Sequence, residues 1–319
     1  MKNLYFGIDI GGTYIKGGLV DEEGNILFNK KIKTNAGTKD LAESVLSLAE
    51  LLAEDAGISV HDAKGMGIAC AGLVDTNKAS ISYSPNLWIQ NYPLKENLQK
   101  KLSFPIEAVN DAEASLIAEQ KYGEGKNVIC FLMLTLGTGI GGGFVFNNMP
   151  FRSIRSYAFE VGHIKIPGKK IKCNCGEYNC FETFASTSAL VRETKLAMQE
   201  HPESKMWSKY DLETVSGKTV FDFLSTDETA KAVFDEFIKN LGNGIVSLVN
   251  VLCPEKIIIG GEISQQKDKL LKPLADYVNN HIHTKHVNNT IEFCSSKHNN
   301  NSGILGSVCL LKERRTIWD

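Results

Sequence analysis

Three cysteines crowd into residues 173 to 180, and one histidine precedes them by ten positions. Three thiolates and one imidazole make a full tetrahedral set for structural zinc, which leaves no position open for chemistry. Reduced cysteines that hold no metal are the alternative in a cytosolic chain. The five other cysteines are scattered through apolar stretches, as expected of buried thiols rather than a disulfide framework. The candidate metal ligands are His163, Cys173, Cys175 and Cys180.

Two glycine turns, each directly after an apolar run, have the composition of phosphate-binding turns. Residues 9–13 read DIGGT and residues 136–143 read LGTGIGGG, and a third glycine pair stands at 260–261. Glycines leave room for a phosphate to approach backbone N–H groups. Each turn alone is compatible with a simple hairpin or a strand-to-helix turn, but the matched pair favours a bound polyphosphate. The candidate nucleotide-binding residues are Asp9, Gly11, Gly12, Thr13, Lys16, Gly137, Thr138, Gly139, Gly260 and Gly261.

One aspartate stands where a short strand gives way to a helix, a position that suits an acid–base group. Residues 105–109 predict the strand, residues 112–122 predict the helix, and Asn110-Asp111 joins them. Phosphoryl transfer to a hydroxyl needs a group that accepts the proton, and a carboxylate of ordinary basicity suffices because the transition state is loose. Asp111 is therefore a candidate general base, with a plain helix cap as the alternative.

An alternation of strands and helices must position these residues. Short apolar runs between Gly, Asn and Asp turns predict strands, and apolar residues at helical spacing predict helices. The predicted strands are 4–10, 15–20, 26–32, 66–71, 105–109, 128–136, 141–146 and 256–259, and the predicted helices are 40–56, 112–122, 230–252 and 304–314. Residues 198–218 are polar and irregular, which predicts a surface insertion.

The order strand, Gly-Thr turn, strand and polar turn occurs near residue 10 and again near residue 137. This repeat predicts two related halves. At 319 residues the chain is also longer than one core usually grows, so we expect two α/β domains with a cleft between them. The predicted domains are 1–118 plus about 304–319, with the first turn and the candidate base, and 119–303, with the second turn and the metal site.

Charge and hydrophobicity exclude several classes of partner. The 35 basic and 37 acidic side chains nearly cancel and are not gathered into runs, so no nucleic-acid partner is expected. The first nine residues are too short and too polar for a signal peptide or a membrane helix, which predicts a cytoplasmic protein without a membrane partner. The expected partners are a small-molecule substrate and a nucleotide, and we expect a homodimer or a higher homo-oligomer.

Six segments in order carry a specific resemblance: DIGGTYIKGGLV, VNDAEAS, LTLGTGIGGG, EVGH, CNCGEYNCFET and PEKIIIGGEIS. Together they resemble the repressor, open reading frame and kinase (ROK) family nearly from end to end, and among its members the bacterial glucokinases most. The resemblance implies a pair of actin-like (ribonuclease-H-like) domains, with ATP and Mg²⁺ in the interdomain cleft and a sugar beside them. Repressors of the family carry an N-terminal helix-turn-helix domain, for which a first turn at residue 11 leaves no room.

The same resemblance assigns the sugar side of the site. It implies that Asn110 binds the sugar and that Asp111 is the catalytic base, and it supports the zinc pattern. The sugar-binding residues that it implies are Gly72, Asn86, Asn110, Asp111, Glu160, His163 and Glu182. Without it, the two glutamates would be taken for solvated surface acids. Asn179 departs from the usual glycine of the family, but Asn tolerates a left-handed turn well.

The sequence therefore predicts an ATP-dependent kinase that phosphorylates a hexose, with glucose at its 6-hydroxyl as the first choice. N-acetylmannosamine, N-acetylglucosamine or fructose kinases of the same family share nearly every motif named above. A sugar-responsive regulator that keeps the fold, and an actin-like scaffold, are further alternatives. The first would have a DNA-binding extension or lack the base, and the second would have no use for Asn110-Asp111 or the zinc pattern.

Overall fold

Contacts divide the chain into two compact α/β units. The structure, a computed structural model, describes residues 3–35, 41–153, 159–287 and 290–318, with side chains up to residue 313. The first unit comprises Met1–Asn127, Met149–Ala158 and Lys297–Asp319, and the second comprises Val128–Asn148 and Phe159–Ser296. The boundaries predicted at 118/119 and about 303/304 fall inside two helices. The division by contacts lies outside those helices because a helix packs as one rigid element.

The strands follow the predicted apolar runs and add several short ones. In chain order they are β1 (Tyr5–Ile10), β2 (Tyr14–Val20), β3 (Ile26–Lys33), β4 (Met66–Cys70), β5 (Leu73–Asp75), β6 (Ser80–Ser84), β7 (Ile89–Tyr92), β8 (Ile106–Asn110), β9 (Phe131–Leu136), β10 (Ile140–Phe146), β11 (Met149–Pro150), β12 (Lys256–Gly260) and β13 (Glu292–Ser295). Of these, β5, β6, β7, β11 and β13 were not predicted.

The helices include all four that the apolar spacing predicted. In chain order they are α1 (Leu41–Asp55), α2 (Leu94–Gln99), α3 (Asp111–Tyr122), α4 (Glu182–Ala185), α5 (Thr187–Glu200), α6 (Thr219–Phe223), α7 (Glu228–Leu252), α8 (Asp268–His281) and α9 (Ser302–Trp318). The predicted start of the first helix, Asp40, lies outside the described residues. Within the part of the chain that is described, no helix combines the length and the apolar character needed to cross a membrane.

The chain forms two five-stranded sheets of the same strand order. The sheets run β3-β2-β1-β4-β8 and β11-β10-β9-β12-β13. In both, the first hairpin is antiparallel (β1 with β2, β9 with β10), and the next two neighbours pair in parallel. The predicted internal repeat is confirmed. Parallel strands direct their carboxyl ends to one edge of a sheet, where ligands bind in open α/β folds.

Each unit buries its own hydrophobic core. In the first unit, α1 packs on β2 through its buried face, which includes Val45, Leu48 and Leu52. In the second unit the core centres on β9, β12 and the buried face of α7. Asp227 caps α7 because its Oδ1 accepts hydrogen bonds from the backbone N–H groups of Thr229 and Ala230. This cap starts α7 two residues before the predicted start.

Residues 198–218 are mostly exposed and irregular, as expected of a surface insertion, but a few buried side chains anchor the segment. Met198 ends the buried face of α5, and Met206 is fully buried in a short 3-10 turn, Lys205–Ser208. The indole Nε1 of Trp207 donates a hydrogen bond of 2.9 Å to the carbonyl oxygen of Met198, which holds this turn against the helix. Single apolar residues at irregular spacing carry too weak a periodic signal to reveal this burial from sequence.

A buried carboxylate of the first unit anchors the segments near the first and the last place where the chain passes between the units. Glu119 is fully buried near the end of α3. Its Oε2 accepts from the backbone N–H of Glu124 at 2.8 Å, and its Oε1 accepts from the backbone N–H of His298 at 3.0 Å. Residue 124 precedes the first boundary and residue 298 follows the last one. Two charge-assisted hydrogen bonds therefore fix these segments on the helix that begins at Asp111.

Candidate active site and metal centre

The first glycine turn is anchored at its ends and open in its middle. The backbone N–H of Gly11 donates to the carbonyl oxygen of Tyr14 at 3.0 Å, which closes the turn between β1 and β2. Thr34 donates from its hydroxyl to the carbonyl oxygen of Gly11 and from its N–H to that of Thr13. Gly12 and Thr13 are exposed. Gly12 and Thr13 thus offer backbone N–H groups and one hydroxyl at the protein surface.

Three strand ends meet beside this turn in the first unit. Ile10, Cys70 and Asn110 are neighbours in the sheet register at the carboxyl ends of β1, β4 and β8. Asp9 precedes this row and Asp111 follows it, so both carboxylates lie at the same sheet edge. Sequence order alone does not show this meeting, because β4 and β8 become neighbours only through the strand order of the sheet.

Asn110, not Asp111, caps α3. The Asn110 Oδ1 accepts from the backbone N–H groups of Ala112 (2.8 Å) and Glu113 (3.3 Å), while its Nδ2 donates to the carbonyl oxygen of Gly72 at 2.9 Å. The Asp111 Oδ1 accepts from the backbone N–H of Ala112 at 2.9 Å. The cap orients the first turn of the helix, and the Asp111 carboxylate stands at the strand end next to it.

Burial raises the pKa values of a group of acids at this edge. The Asp111 pKa lies above its usual value because the carboxyl is desolvated, which outweighs its hydrogen bonds. Burial raises the Asp9 pKa to about 6, with Lys16 lowering it and Asp111 raising it. The Lys16 Nζ lies 3.8 Å from the Asp9 Oδ2. The pKa of the Cys70 thiol is raised by burial, by Asp111 and by Asp9. Sequence reasoning missed Cys70.

Asp9→Asn is expected to stabilise the folded protein above pH 6. A raised Asp9 pKa means that the folded state binds more protons than the unfolded state between about pH 4 and 6, so its stability falls as the pH rises through that window. Removing the carboxyl should therefore raise the free energy of unfolding by up to about 2–3 kcal/mol at pH 7–8 and by little at pH 4.

Thermal or urea unfolding across pH 4–8 measures this difference. Asp55→Asn is the control, because Asp55 is an exposed carboxylate of the same unit, paired with Lys30. If Asp9→Asn is no more stable than the wild type at pH 8, burial of the ionised Asp9 carboxylate does not destabilise the folded protein.

Gly72 and Asn86 lie on two segments that contact the same edge. Gly72 has a φ of +114°, and a side-chain carbon there would lie 2.4 Å from the carbonyl oxygen of Tyr83. Asn86 is exposed in the turn between β6 and β7. A side-chain carbon on Gly12 would lie 3.3 Å from the Asn86 Cβ, so the Asn86 turn packs on the first glycine turn.

In the second unit, Glu182 packs directly on the second glycine turn. The turn joins β9 to β10, and the backbone N–H of Gly137 donates to the carbonyl oxygen of Gly139 at 3.0 Å. A side-chain carbon at Gly139 would lie 2.2 Å from the Glu182 Oε2, and the same oxygen accepts from the backbone N–H of Ile140 at 3.3 Å. A side chain at 139 would force this carboxylate to move, and Thr138 lies at the exposed tip of the turn.

The third glycine pair approaches the second turn from β12. Gly260 pairs in register with Thr135 of β9. Gly261 has a φ of +91°, and a side-chain carbon there would lie 2.0 Å from the carbonyl oxygen of Leu136, the residue before Gly137. A residue other than glycine at 261 would be excluded by conformation and by space. Two of the three candidate nucleotide turns are therefore adjacent in one unit.

The four candidate metal ligands meet in the second unit. The ligand atoms of His163, Cys173, Cys175 and Cys180 all lie within 4.8 Å of one another. The Cys175 and Cys180 sulfurs are 3.6 Å apart. That distance is far too long for a disulfide, but it matches the roughly 3.8 Å edge of a tetrahedron with Zn–S bonds of about 2.3 Å. The residues present therefore fit a structural zinc ion.

The cluster and the candidate sugar-binding acids are neighbours. The Cys173 thiol donates to the Glu182 Oε1 at 2.9 Å, and the His163 Nδ1 lies 3.8 Å from the same oxygen. Glu160 is exposed at the start of the 3-10 turn Val161–His163, and its carbonyl oxygen accepts from the His163 N–H. Asn179 has a φ of +58°, which confirms the expected left-handed turn before Cys180.

Comparisons with known proteins match the chain over nearly its whole length. The model of the ROK family matches residues 5–314. A glucokinase of Halalkalibacterium halodurans is 33% identical, over 99% of this chain and 97% of the relative. A xylose repressor of Caldicellulosiruptor bescii is 28% identical, over 86% of this chain and 69% of the repressor.

A solved structure matches the chain throughout. The crystal structure of a ROK family glucokinase from Streptomyces griseus, in complex with glucose and AMPPNP, covers 98% of this chain and 100% of its own, with 28% identity and a TM-score of 0.87. The predicted fold class, α/β with two actin-like (ribonuclease-H-like) domains, is confirmed.

Proposed function

The chain belongs to the ROK family, and on this premise we propose that it is an ATP-dependent hexose kinase with glucose as the preferred acceptor. The observation that carries the proposal is the position of Asp111, a desolvated carboxylate at the strand ends beside an open glycine turn. The similarity to glucokinases, one of them solved with glucose and an ATP analogue, supports the same activity.

ATP would be held by backbone groups rather than by a Walker lysine. Donors for the phosphates would come from Gly12 and Thr13 in the first turn and from Thr138 and Gly139 in the second. The N–H groups of Gly11 and Gly137 close these two turns and so shape them for the phosphates. Lys16 adds a positive charge at the first turn, and Gly260-Gly261 would take the adenosine side. Mg²⁺ would enter with the phosphates, whose charge it offsets, and Asp9 offers a carboxylate of the kind that it prefers.

In this mechanism Asp111 accepts the proton of the sugar hydroxyl as that oxygen attacks the γ-phosphorus. The bond between the γ-phosphorus and the β,γ-bridging oxygen breaks, and ADP leaves. Because the transition state is loose, proton transfer comes late and needs orientation more than strong basicity. The hydrogen bond from the Ala112 N–H and the neighbouring Asn110 cap orient the Asp111 carboxylate. The raised Asp111 pKa makes it a better base than a solvated aspartate.

The sugar hydroxyls would be bound by acids and amides that the protein holds in place. Glu160, His163 and Glu182 are proposed from the second unit, and Asn86, Asn110 and the Gly72 backbone from the first. In Asn110 the Oδ1 is already used by two backbone N–H groups, so only its Nδ2 is suited to meet a hydroxyl. Charge-assisted hydrogen bonds to carboxylates distinguish hydroxyl orientations well.

The zinc ion would have a purely structural role. His163, Cys173, Cys175 and Cys180 would hold it, and with all four positions taken it supplies rigidity rather than Lewis acidity. Glu182 follows Cys180 by two residues, so an ion that fixes Cys180 would also fix the backbone that carries this acid.

Glucose preference can be tested with a coupled ADP-release assay over glucose, mannose, fructose, N-acetylglucosamine and N-acetylmannosamine. We expect glucose to have the highest kcat/KM, by at least about tenfold, or 1.4 kcal/mol of transition-state binding. A higher kcat/KM for an N-acetylhexosamine would refute the preference for glucose, but the proposal of a sugar kinase would still stand. The absence of ADP release with every sugar would refute the kinase.

A further inference from the structure

The turn between β6 and β7 holds an indole almost fully in solvent. Trp88 is 82% exposed, more than any other aromatic side chain in the described part of the chain. The residues on either side of it, Leu87 and Ile89, are buried. The turn is closed by hydrogen bonds from the Leu87 N–H to the Ser84 carbonyl and from the Trp88 N–H to the Pro85 carbonyl. Trp88 is therefore presented by an anchored turn.

The backbone at this position is unfavourable for tryptophan. Trp88 has a φ of +55°, in the left-handed region that a bulky side chain rarely adopts. The turn also begins with Ser84, a fully buried residue whose hydroxyl has no hydrogen-bond partner among the described residues. Strained backbone and unpaired polar groups cluster at ligand sites, because there the ligand interaction outweighs their cost.

Two contacts locate this turn at the candidate site, and both lie within the first unit. Asn86 packs on Gly12 of the first glycine turn. At the other end, Ser84 lies against Gly72, with its Cα 2.9 Å from where a Gly72 side chain would begin. The carbonyl of Gly72 in turn accepts from Asn110, the residue before Asp111. Trp88 is two residues from Asn86, so their Cα atoms are at most about 7 Å apart.

We propose that Trp88 stacks on the apolar face of the sugar ring that Asp111 activates, and so contributes to substrate specificity. The inference rests on the proposed kinase function. A pyranose presents C–H groups on its face and hydroxyls at its edge, and an indole offers a flat apolar surface of matching size. The contact favours a pyranose with equatorial hydroxyls, since an axial hydroxyl would interrupt the apolar face. The indole would contact the face of the ring, while the proposed carboxylates bind the hydroxyls at its edge.

Substituting residues that tolerate a positive φ separates this role from a structural one. Trp88→Gly and Trp88→Asn suit the left-handed backbone, so both should fold with an unchanged or higher Tm. If Trp88 binds the sugar, their KM for the preferred hexose rises about tenfold while kcat stays within about twofold. Trp88→Phe keeps a smaller aromatic ring, so its KM should lie between that of these two variants and that of the wild type. Leu27→Ala, which removes an exposed apolar side chain elsewhere in the same unit, should leave KM unchanged.

Fluorescence provides a direct readout of the contact. Saturating hexose should change the tryptophan emission of the wild type and of Trp207→Phe, but not that of Trp88→Phe. A KM within about twofold of the wild type in Trp88→Gly and Trp88→Asn would overturn the inference while the kinase stands. A change of oligomeric state in these variants with unchanged KM would overturn it in favour of self-association. If the wild type phosphorylates no hexose, both proposals fail.

Discussion

Asp111→Asn is expected to lower kcat by at least about 100-fold while sugar and nucleotide still bind, because a positioned base contributes about that factor to proton transfer. The substitution keeps the size of the side chain, and its amide oxygen can still accept from the Ala112 N–H. The cap of α3 is untouched because it is formed by Asn110. A large loss therefore reports on the missing base and not on a disturbed helix.

The measurement pairs steady-state ADP release with calorimetric binding of the hexose and of a non-hydrolysable ATP analogue. Glu113→Gln is a matched control, since it removes a negative charge from the same first helical turn, where Glu113 pairs with Arg152. It should retain kcat within about threefold, as expected for the loss of an exposed ion pair. If Asp111→Asn also turns over within about threefold of the wild type, Asp111 is not the base.

Cys175→Ser is expected to abolish zinc binding in a protein that otherwise contains about one zinc ion per chain. Cys175 is exposed, so the change from sulfur to oxygen loses little packing, and its effects report on the metal. We expect the free energy of unfolding to fall by at least about 2 kcal/mol, or roughly 4–8 °C in Tm. The sugar KM should rise because Glu182, two residues after the metal ligand Cys180, loses the support of the ion.

Elemental analysis of protein prepared without chelator measures the metal, and thermal unfolding measures the stability. Cys253→Ser is the control, an exposed cysteine of the same unit that is outside the cluster. It should keep the zinc and the KM of the wild type. If the wild-type protein contains no zinc, the proposed metal centre is refuted, independently of the results for the variants.

The features that sequence predicted well depend on local rules. The strands around DIGGT and LGTGIGGG follow from short apolar runs that end in glycine, and their repetition revealed the duplicated sheets. Asn179 was expected in a left-handed turn because Asn tolerates that conformation, and its φ is +58°. The spacing of the cysteines brought their sulfurs together because the chain between Cys173 and Cys180 is short enough to fold back on itself.

Long-range contacts were missed or misjudged. Cys70 lies beside Asp9 and Asp111 only because β4 pairs with both β1 and β8, which no local pattern reveals. Glu119 is a second long-range contact that the sequence does not reveal. An acid in a helical run is expected to be exposed, but Glu119 is buried and accepts hydrogen bonds from the backbone of Glu124 and His298. The burial of Met206 likewise depends on the core of the second unit. The β5–β7 sheet is local, but its strands are only three to five residues long and carry a weak periodic signal.

The central claim is that the chain transfers the γ-phosphate of ATP to a hexose hydroxyl with Asp111 as the base. The most direct measurement is to incubate the wild type and Asp111→Asn with glucose and ATP labelled at the γ-phosphate, and to determine where the label appears. The account predicts labelled glucose 6-phosphate and one ADP for each labelled sugar with the wild type, and at most about one hundredth of that rate with the variant. Label that appears only as inorganic phosphate, or equal sugar phosphorylation by both proteins, would contradict it.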